Sequence, residues 1–228
     1  MTRPETDSLC FADDFMARFG RDWPIVISPL LKIVILAPTI PAAEAVVFTS
    51  ANAVAPFAAL SPAGGRRAYC VGARTARAAA EAGFLPVTGP GDAAGLVPLI
   101  GAAARGPLIY ARGRHVVSNL AETLNLAGIE TFEAIVYDQV QQHLTGAARR
   151  ALAAPAGGVV PLFSARTARL FVAEVKGSDA TMRIAAISAA VAEPCHDLEV
   201  AQLEVALTPD SAGVMAALAR LIGSAVVA

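Results

Sequence analysis

Charge is scarce in this sequence. Only 16% of the 228 residues are charged and the formal net charge is −1, so the basic excess of a nucleic-acid-binding domain is missing. Disorder is excluded too, because 55% of the residues are hydrophobic, far more than a chain without a core carries. Lysine is nearly absent: Lys32 and Lys176 stand against 16 arginines. That imbalance fits either a GC-rich coding bias or carboxylate recognition, for which the guanidinium fork is well shaped. Cysteine is limited to Cys10, Cys70 and Cys195 with no C-x-x-C spacing, which argues against a disulfide framework and for a reducing compartment, by default the cytoplasm. Met1 to Asp7 has no apolar stretch of the kind a secretory signal needs.

A long uninterrupted apolar run is also missing. The most hydrophobic window, Trp23 to Ala43, is broken by Pro24, Pro29, Pro38 and Pro41. Each proline removes a backbone donor and interrupts a helix, so no membrane span is expected. The β-branched triplets Ile25-Val26-Ile27 and Ile33-Val34-Ile35 suit buried strands instead. There is no P-loop, no G-x-S-x-G elbow and no H-E-x-x-H. His115, His143 and His196 lack spaced partners, so no metal site is expected. Gly89-Pro90-Gly91-Asp92-Ala93-Ala94-Gly95 matches a dinucleotide loop poorly and reads better as a helix start capped by Asp92.

What is present is alternation. Val46–Phe48, Ala68–Val71, Leu108–Tyr110, Ile135–Tyr137, Val159–Phe163 and Ile184–Ile187 read as buried parallel strands. Asn52–Leu60, Thr75–Ala82, Val117–Ala127, Ala165–Val175 and Ala212–Leu221 read as helices, the pattern of an α/β protein. The two halves also resemble each other. Phe48-Thr49-Ser50-Ala51 matches Phe163-Ser164-Ala165-Arg166 at an offset of 115. Val71-Gly72-Ala73 matches Ile187-Ser188-Ala189 at 116, and Ala94-Gly95-Leu96 matches Ala212-Gly213-Val214 at 118. Each half further holds a turn, a helix and a glycine, from Thr2-Arg3-Pro4 to Gly20 and from Ala111-Arg112-Gly113-Arg114 to Gly128. The expectation is two similar parallel-sheet lobes joined by two linkers, with a cleft between them. One lobe holds residues 1–34 and 141–228; the other is the insertion 36–138.

Anion-binding groups fall at strand-to-helix turns. Thr49, Ser50 and Asn52 follow one strand, Ser164 and Arg166 follow its counterpart, and Thr75 opens another helix. A helix start offers free N–H groups and a positive dipole end, and hydroxyls add donors. Taken singly, each reads equally well as an N-cap. Arg112 lies in a solvated loop or clamps an anion. Tyr137 is a half-buried strand tyrosine beside a linker.

In order along the chain, Thr2-Arg3-Pro4, Val47-Phe48-Thr49-Ser50-Ala51-Asn52-Ala53-Val54, Val71-Gly72-Ala73-Arg74-Thr75-Ala76, Val136-Tyr137, Phe163-Ser164-Ala165-Arg166 and Ile187-Ser188-Ala189-Ala190-Val191-Ala192-Glu193 resemble the uroporphyrinogen-III synthase family. The resemblance implies a two-lobed monomer without metal or organic cofactor. It implies cyclisation of hydroxymethylbilane, a linear tetrapyrrole with eight carboxylates, with inversion of the last pyrrole ring and loss of water. The substrate would come from the preceding pathway enzyme. The resemblance makes Tyr137 the acid that helps the hydroxyl leave. It makes Thr49, Ser50, Asn52, Thr75 and Ser164 holders of the acetate and propionate arms, with Arg112 and Arg166 as further clamps. Two departures stand out. Family members usually carry a hydrophobic strand ahead of the Thr-Arg-Pro segment, so a late start or a clipped strand would leave one sheet frayed. They also often have Ser-Pro at Ser188-Ala189. A non-catalytic tetrapyrrole- or polycarboxylate-binding module of the same fold is the alternative reading.

Overall fold

The computed structural model describes residues 1–104, 106–115, 119–155, 157–178 and 181–226, with side chains to 223. In chain order its elements are α1 (Glu5–Phe19), β1 (Leu31–Ile35), β2 (Ala45–Phe48), a 3-10 turn (Ala51–Ala53), α2 (Val54–Leu60), β3 (Arg67–Cys70), α3 (Ala73–Glu81), β4 (Leu85–Thr88), α4 (Ala93–Ala103), β5 (Leu108–Gly113) and α5 (Leu120–Leu126). They continue with β6 (Thr131–Gln141), α6 (Gly146–Ala153), β7 (Gly158–Leu162), α7 (Ala165–Val175), β8 (Met182–Ala186), α8 (Ala189–Ala192), a 3-10 turn (Glu193–Cys195), β9 (Gln202–Val205) and α9 (Ser211–Val226). The helix expected from Val117 begins at Leu120, and Val117 itself lies outside the described residues. The chain forms two compact units, Ile33–Gln139 and Met1–Lys32 with Val140–Ala228.

The middle unit is a doubly wound sheet. Its strands run in the order β6-β5-β2-β3-β4, with β1 beside β6, and β2 to β6 pair in parallel. Alternation along each strand feeds two cores. Val46 and Phe48 of β2 with Ile109 and Ala111 of β5 pack under α2 and α3. Ala45 and Val47 with Leu108 and Tyr110 pack under α4 and α5. Both faces are covered, so the strands read as continuous apolar runs rather than alternating ones. The chain winds outward one way through β3 and β4, then returns to place β5 on the other side of β2. The carboxyl ends of β2 and β5 are therefore the topological switch point, where open α/β sheets bind ligands.

The second unit repeats part of this plan. Its sheet has the order β7-β8-β9, again parallel. Leu144, Ala148, Leu152, Ala168 and Phe171 cover one face; Phe11 and Phe15 of α1 with Val214, Leu218 and Leu221 of α9 cover the other. The repeat is visible in the caps. Asp92 accepts the Gly95 N–H at 2.7 Å, and Asp210 accepts the Gly213 N–H, also at 2.7 Å. A Cβ at Gly95 would collide with Pro90, and one at Gly213 with the Thr208 carbonyl, so both turns demand glycine for the same steric reason.

Two local expectations need correction. Ile25–Ile27 is not a strand. Its backbone bonds run to Met1 and Thr2 rather than to a sheet, with Ser28 N–H donating to Met1 O at 2.8 Å and Leu30 N–H to Thr2 O at 3.1 Å. Ile33-Val34-Ile35 does form β1, but Ile35 is 64% exposed, so this strand is not buried.

Candidate functional site

The site builds up from the turns that follow the strands of the middle unit. Phe48 ends β2, Thr49 follows, and Ser50 caps the next turn by accepting the Asn52 N–H at 3.2 Å. Ser has the short oxygen-bearing side chain this geometry needs. Thr49 Oγ1 and Tyr110 Oη lie 2.9 Å apart. This hydroxyl pair bridges the ends of β2 and β5 at the switch point. Burial pushes the Tyr110 phenol above its ordinary pKa, against the Thr49 hydrogen bond, so Tyr110 stays neutral and keeps a proton to donate.

Tyr137 is placed by an irregularity. The pairing of β5 with β6 runs Ala111 to Ala134 and Arg112 to Ile135, then skips to Gly113 opposite Tyr137. Plain alternation would send residue 137 to the face of Ile135. The one-residue bulge turns it instead to the face of Val136 and Ala134, where it joins that core. Its ring then lies against Gly113, where a Cβ would stand 2.5 Å from Cζ and 2.9 Å from the hydroxyl. Only glycine leaves room for the ring. Tyr137 is within the field of the Tyr110 phenol. It also lies inside β6, which runs on to Gln141, rather than at the strand's end.

Arg112 is in β5 and not in a loop. Its Nε and Nη2 donate to the two Glu133 oxygens at 2.7 and 2.8 Å, and Nη1 donates to the carbonyls of Gly113 and Arg114. The Glu133 carboxylate holds the guanidinium above its usual pKa. A substrate carboxylate could reach this fork only by exchange with Glu133. Just beyond, Arg114 Nε donates to Asp138 Oδ2 at 2.8 Å and His115 Nε2 lies 3.5 Å from Oδ1. Desolvation raises the Asp138 carboxyl, but the Gln139 N–H and Arg114 outweigh it and hold its pKa low.

The remaining candidates sit in helix starts. Thr75 is buried at the third position of α3, which opens at Gly72 without a side-chain cap. In the second unit Ser164 caps α7: its oxygen accepts the Thr167 N–H at 3.1 Å while its O–H donates to Thr167 Oγ1 at 2.9 Å. Arg166 is half-buried at the second position of that helix. The structure thus brings Thr49, Arg112 and Tyr137 to the carboxyl edge of one sheet, with Ser50, Asn52 and Thr75 in the same unit. Ser164 and Arg166 belong to the other unit. Tyr110, Glu133 and Gly113 were not anticipated. Tyr110 read as an ordinary strand residue, and only its position two residues before the Arg-Gly-Arg turn marked it. No group of three or more His, Cys, Asp or Glu side chains is arranged to hold a metal among the described residues. Nor is any described helix long and apolar enough to cross a membrane.

A doubly wound parallel sheet with hydroxyl-bearing turns at its switch point defines a class: α/β proteins that bind an anionic small molecule beyond the strand ends. The family model for uroporphyrinogen-III synthase HemD matches residues 20–216, and the chain belongs to that family, the cyclising lyases of tetrapyrrole biosynthesis. Its fold is that of the Helicobacter pylori uroporphyrinogen-III synthetase structure, with a TM-score of 0.67 at 19% identity over 88% of this chain and 96% of that one. A mutant uroporphyrinogen III synthase from Thermus thermophilus aligns with a TM-score of 0.52 at 14% identity, over 98% of this chain and 100% of that one. No curated protein matches the chain in sequence.

Proposed function

We propose that this chain closes hydroxymethylbilane to uroporphyrinogen III using the carboxyl edge of the middle sheet as its chemical centre. The observation that carries the reading is the Thr49–Tyr110 hydroxyl pair at the switch point, 2.9 Å across, with Tyr137 turned toward the same edge by the β6 bulge. Loss of the terminal hydroxyl leaves an electron-rich pyrrole as an azafulvenium-like cation, so a weak acid suffices to assist departure. Tyr137 is that acid, giving its phenolic proton to the leaving oxygen, which departs as water. The rest is positioning: a flexible chain must be held so that the substituted carbon of the last ring is attacked and the ring inverts. Thr49, Ser50 and Asn52, with the N–H groups of their turn, hold carboxylate arms at one end, and Thr75 supports the neighbouring turn. Ser164 and Arg166 supply a second anion-binding helix start. Arg112 takes an arm only when Glu133 releases it, which makes it an exchangeable clamp.

We further propose that the protein acts as a monomer in the cytoplasm, on substrate delivered by the enzyme that assembles the bilane. The test is product analysis with hydroxymethylbilane generated in situ. Without catalysis the bilane closes to the type I isomer. Predominance of type III from the purified chain supports the reading, and type I alone from folded protein overturns it in favour of a binding module.

A further inference from the structure

The second unit contains a cavity that the proposed chemistry does not use. It measures about 520 Å³ and lies along the outer side of β7, between Gly157–Pro161 and the Trp23–Ser28 segment. Phe171, Leu152, Ala148 and Leu144 wall it on one face; Phe15, Leu218 and Ile222 wall it on the other. These are the two cores that sandwich the sheet, so the cavity lies in the plane of the sheet itself. It is more than three times the ~150 Å³ at which an apolar cavity already takes up benzene, too large for a packing defect.

The backbone around it is set out as a ladder. Gly158 N–H donates to Thr181 O, and Leu162 O accepts from Ile187 N–H, both on the β8 side. In a parallel pair alternate residues bond to opposite sides, so the Val159 N–H and the carbonyls of Val159 and Pro161 face the cavity. Pro161 itself is tolerated only on an open edge. Across the cavity, Met1 N–H donates to Val26 O at 2.7 Å and Met1 O accepts the Ser28 N–H at 2.8 Å, the pattern of one parallel rung about Ile27. Thr2 Oγ1 reaches Pro161 O. The rung therefore already lies between the two walls and points along the cavity. Burial lowers the Met1 amino group to a pKa of about 6; an uncharged amide N–H would fit that position without the desolvation cost.

The other unit shows what such a lane holds. There β2, the counterpart of β7, is flanked on this side by β5, whose Leu108-Ile109-Tyr110-Ala111 is wholly buried and pairs in parallel. β5 leads through Arg112-Gly113-Arg114 into α5 and then β6, just as Thr2-Arg3-Pro4 leads into α1 and then the Pro24–Ser28 segment.

We infer that this cavity is a strand-acceptor lane, which takes an extended apolar peptide segment of about four residues, parallel to β7 and joined to the amino side of Met1. With both faces apolar, the segment is a continuous hydrophobic run and not an alternating one.

The test joins Leu-Ile-Tyr-Ala, the β5 sequence, ahead of Met1 of the full chain, with Gly-Ser-Gly-Ser as control. The apolar extension should raise Tm by roughly 5 °C or more and slow hydrogen exchange at the Val159 amide; the control should do neither. Equal behaviour of the two extensions overturns the proposal. A lysine-flanked Leu-Ile-Tyr-Ala peptide, added to the unextended protein, gives a measurement that does not depend on the fusions folding. Saturable slowing of Val159 exchange supports the lane. Its absence at millimolar peptide contradicts it, and peptide protection without an effect of the fused strand overturns the in-line attachment.

Discussion

The turn after β2 and the turn after β7 begin alike and end in different chemistry. In each, the residue two beyond the strand is a serine that caps the next helical turn, Ser50 in one and Ser164 in the other. Between strand and cap stand Thr49 and Phe163. Thr49 meets a second hydroxyl, Tyr110. Phe163 meets Phe11 edge-on at 4.9 Å and lies under the Arg3 guanidinium at 4.3 Å. One turn leaves polar groups at the sheet edge, while the other spends the same position on packing and a cation–π contact. The structural equivalence pairs Ser50 with Ser164, one residue away from the pairing that letter similarity suggests. Duplicated architecture has thus been divided between a chemical edge and a structural one.

The sharpest way to break this contrast is at Gly113. Gly113→Val puts branched carbons where the Tyr137 ring lies. We expect a loss of about 2–3 kcal/mol in urea unfolding, typical of overpacking, together with loss of type III product. The strand-end residues should then separate stability from affinity. Phe163→Ala should cost about 2 kcal/mol of stability and leave bilane KM nearly unchanged. Thr49→Val should cost about 1 kcal/mol and raise KM several-fold. Smaller still are the caps. Ser164→Ala should cost about 1 kcal/mol, a normal N-cap value. Ser50→Ala, which caps a turn of only three residues, should cost less stability but weaken binding of a polycarboxylate, read by calorimetry. The smallest expected effect is alkaline. Burial pushes the Cys70 thiol up to about 12 from 9.0. The fold therefore favours the neutral thiol, and this stability is complete below about pH 9 and drains away as pH rises toward 12. Cys70→Ala should flatten the fall in stability between about pH 8.5 and pH 10.5, seen as a smaller change in urea midpoint.

Local signals were legible in the sequence. The Asp92 cap, the Ser50 and Ser164 turns and the helix Ala165–Val175 each rest on a few neighbouring residues, and they lie where spacing put them. Non-local features were not. The Arg112–Glu133 pair joins residues on adjacent strands, and nothing near Arg112 announces that its donors are taken. The bulge that reorients Tyr137 breaks the alternation from which strand faces are read. Ile25–Ile27 has strand composition, but a strand also needs ladder partners, and those reach only Met1 and Thr2. Tyr110 looked like core and is core, except for its hydroxyl.

The central claim is that the middle sheet's edge carries the chemistry through Tyr137. The most direct measurement is the single-turnover rate of type III formation by Tyr137→Phe at saturating bilane. We expect a rate about 100-fold lower with KM within a factor of two, because the ring still fills its place against Gly113 while the proton is gone. An unchanged rate and an unchanged type III fraction would contradict the assignment and move the acid to another group on that edge.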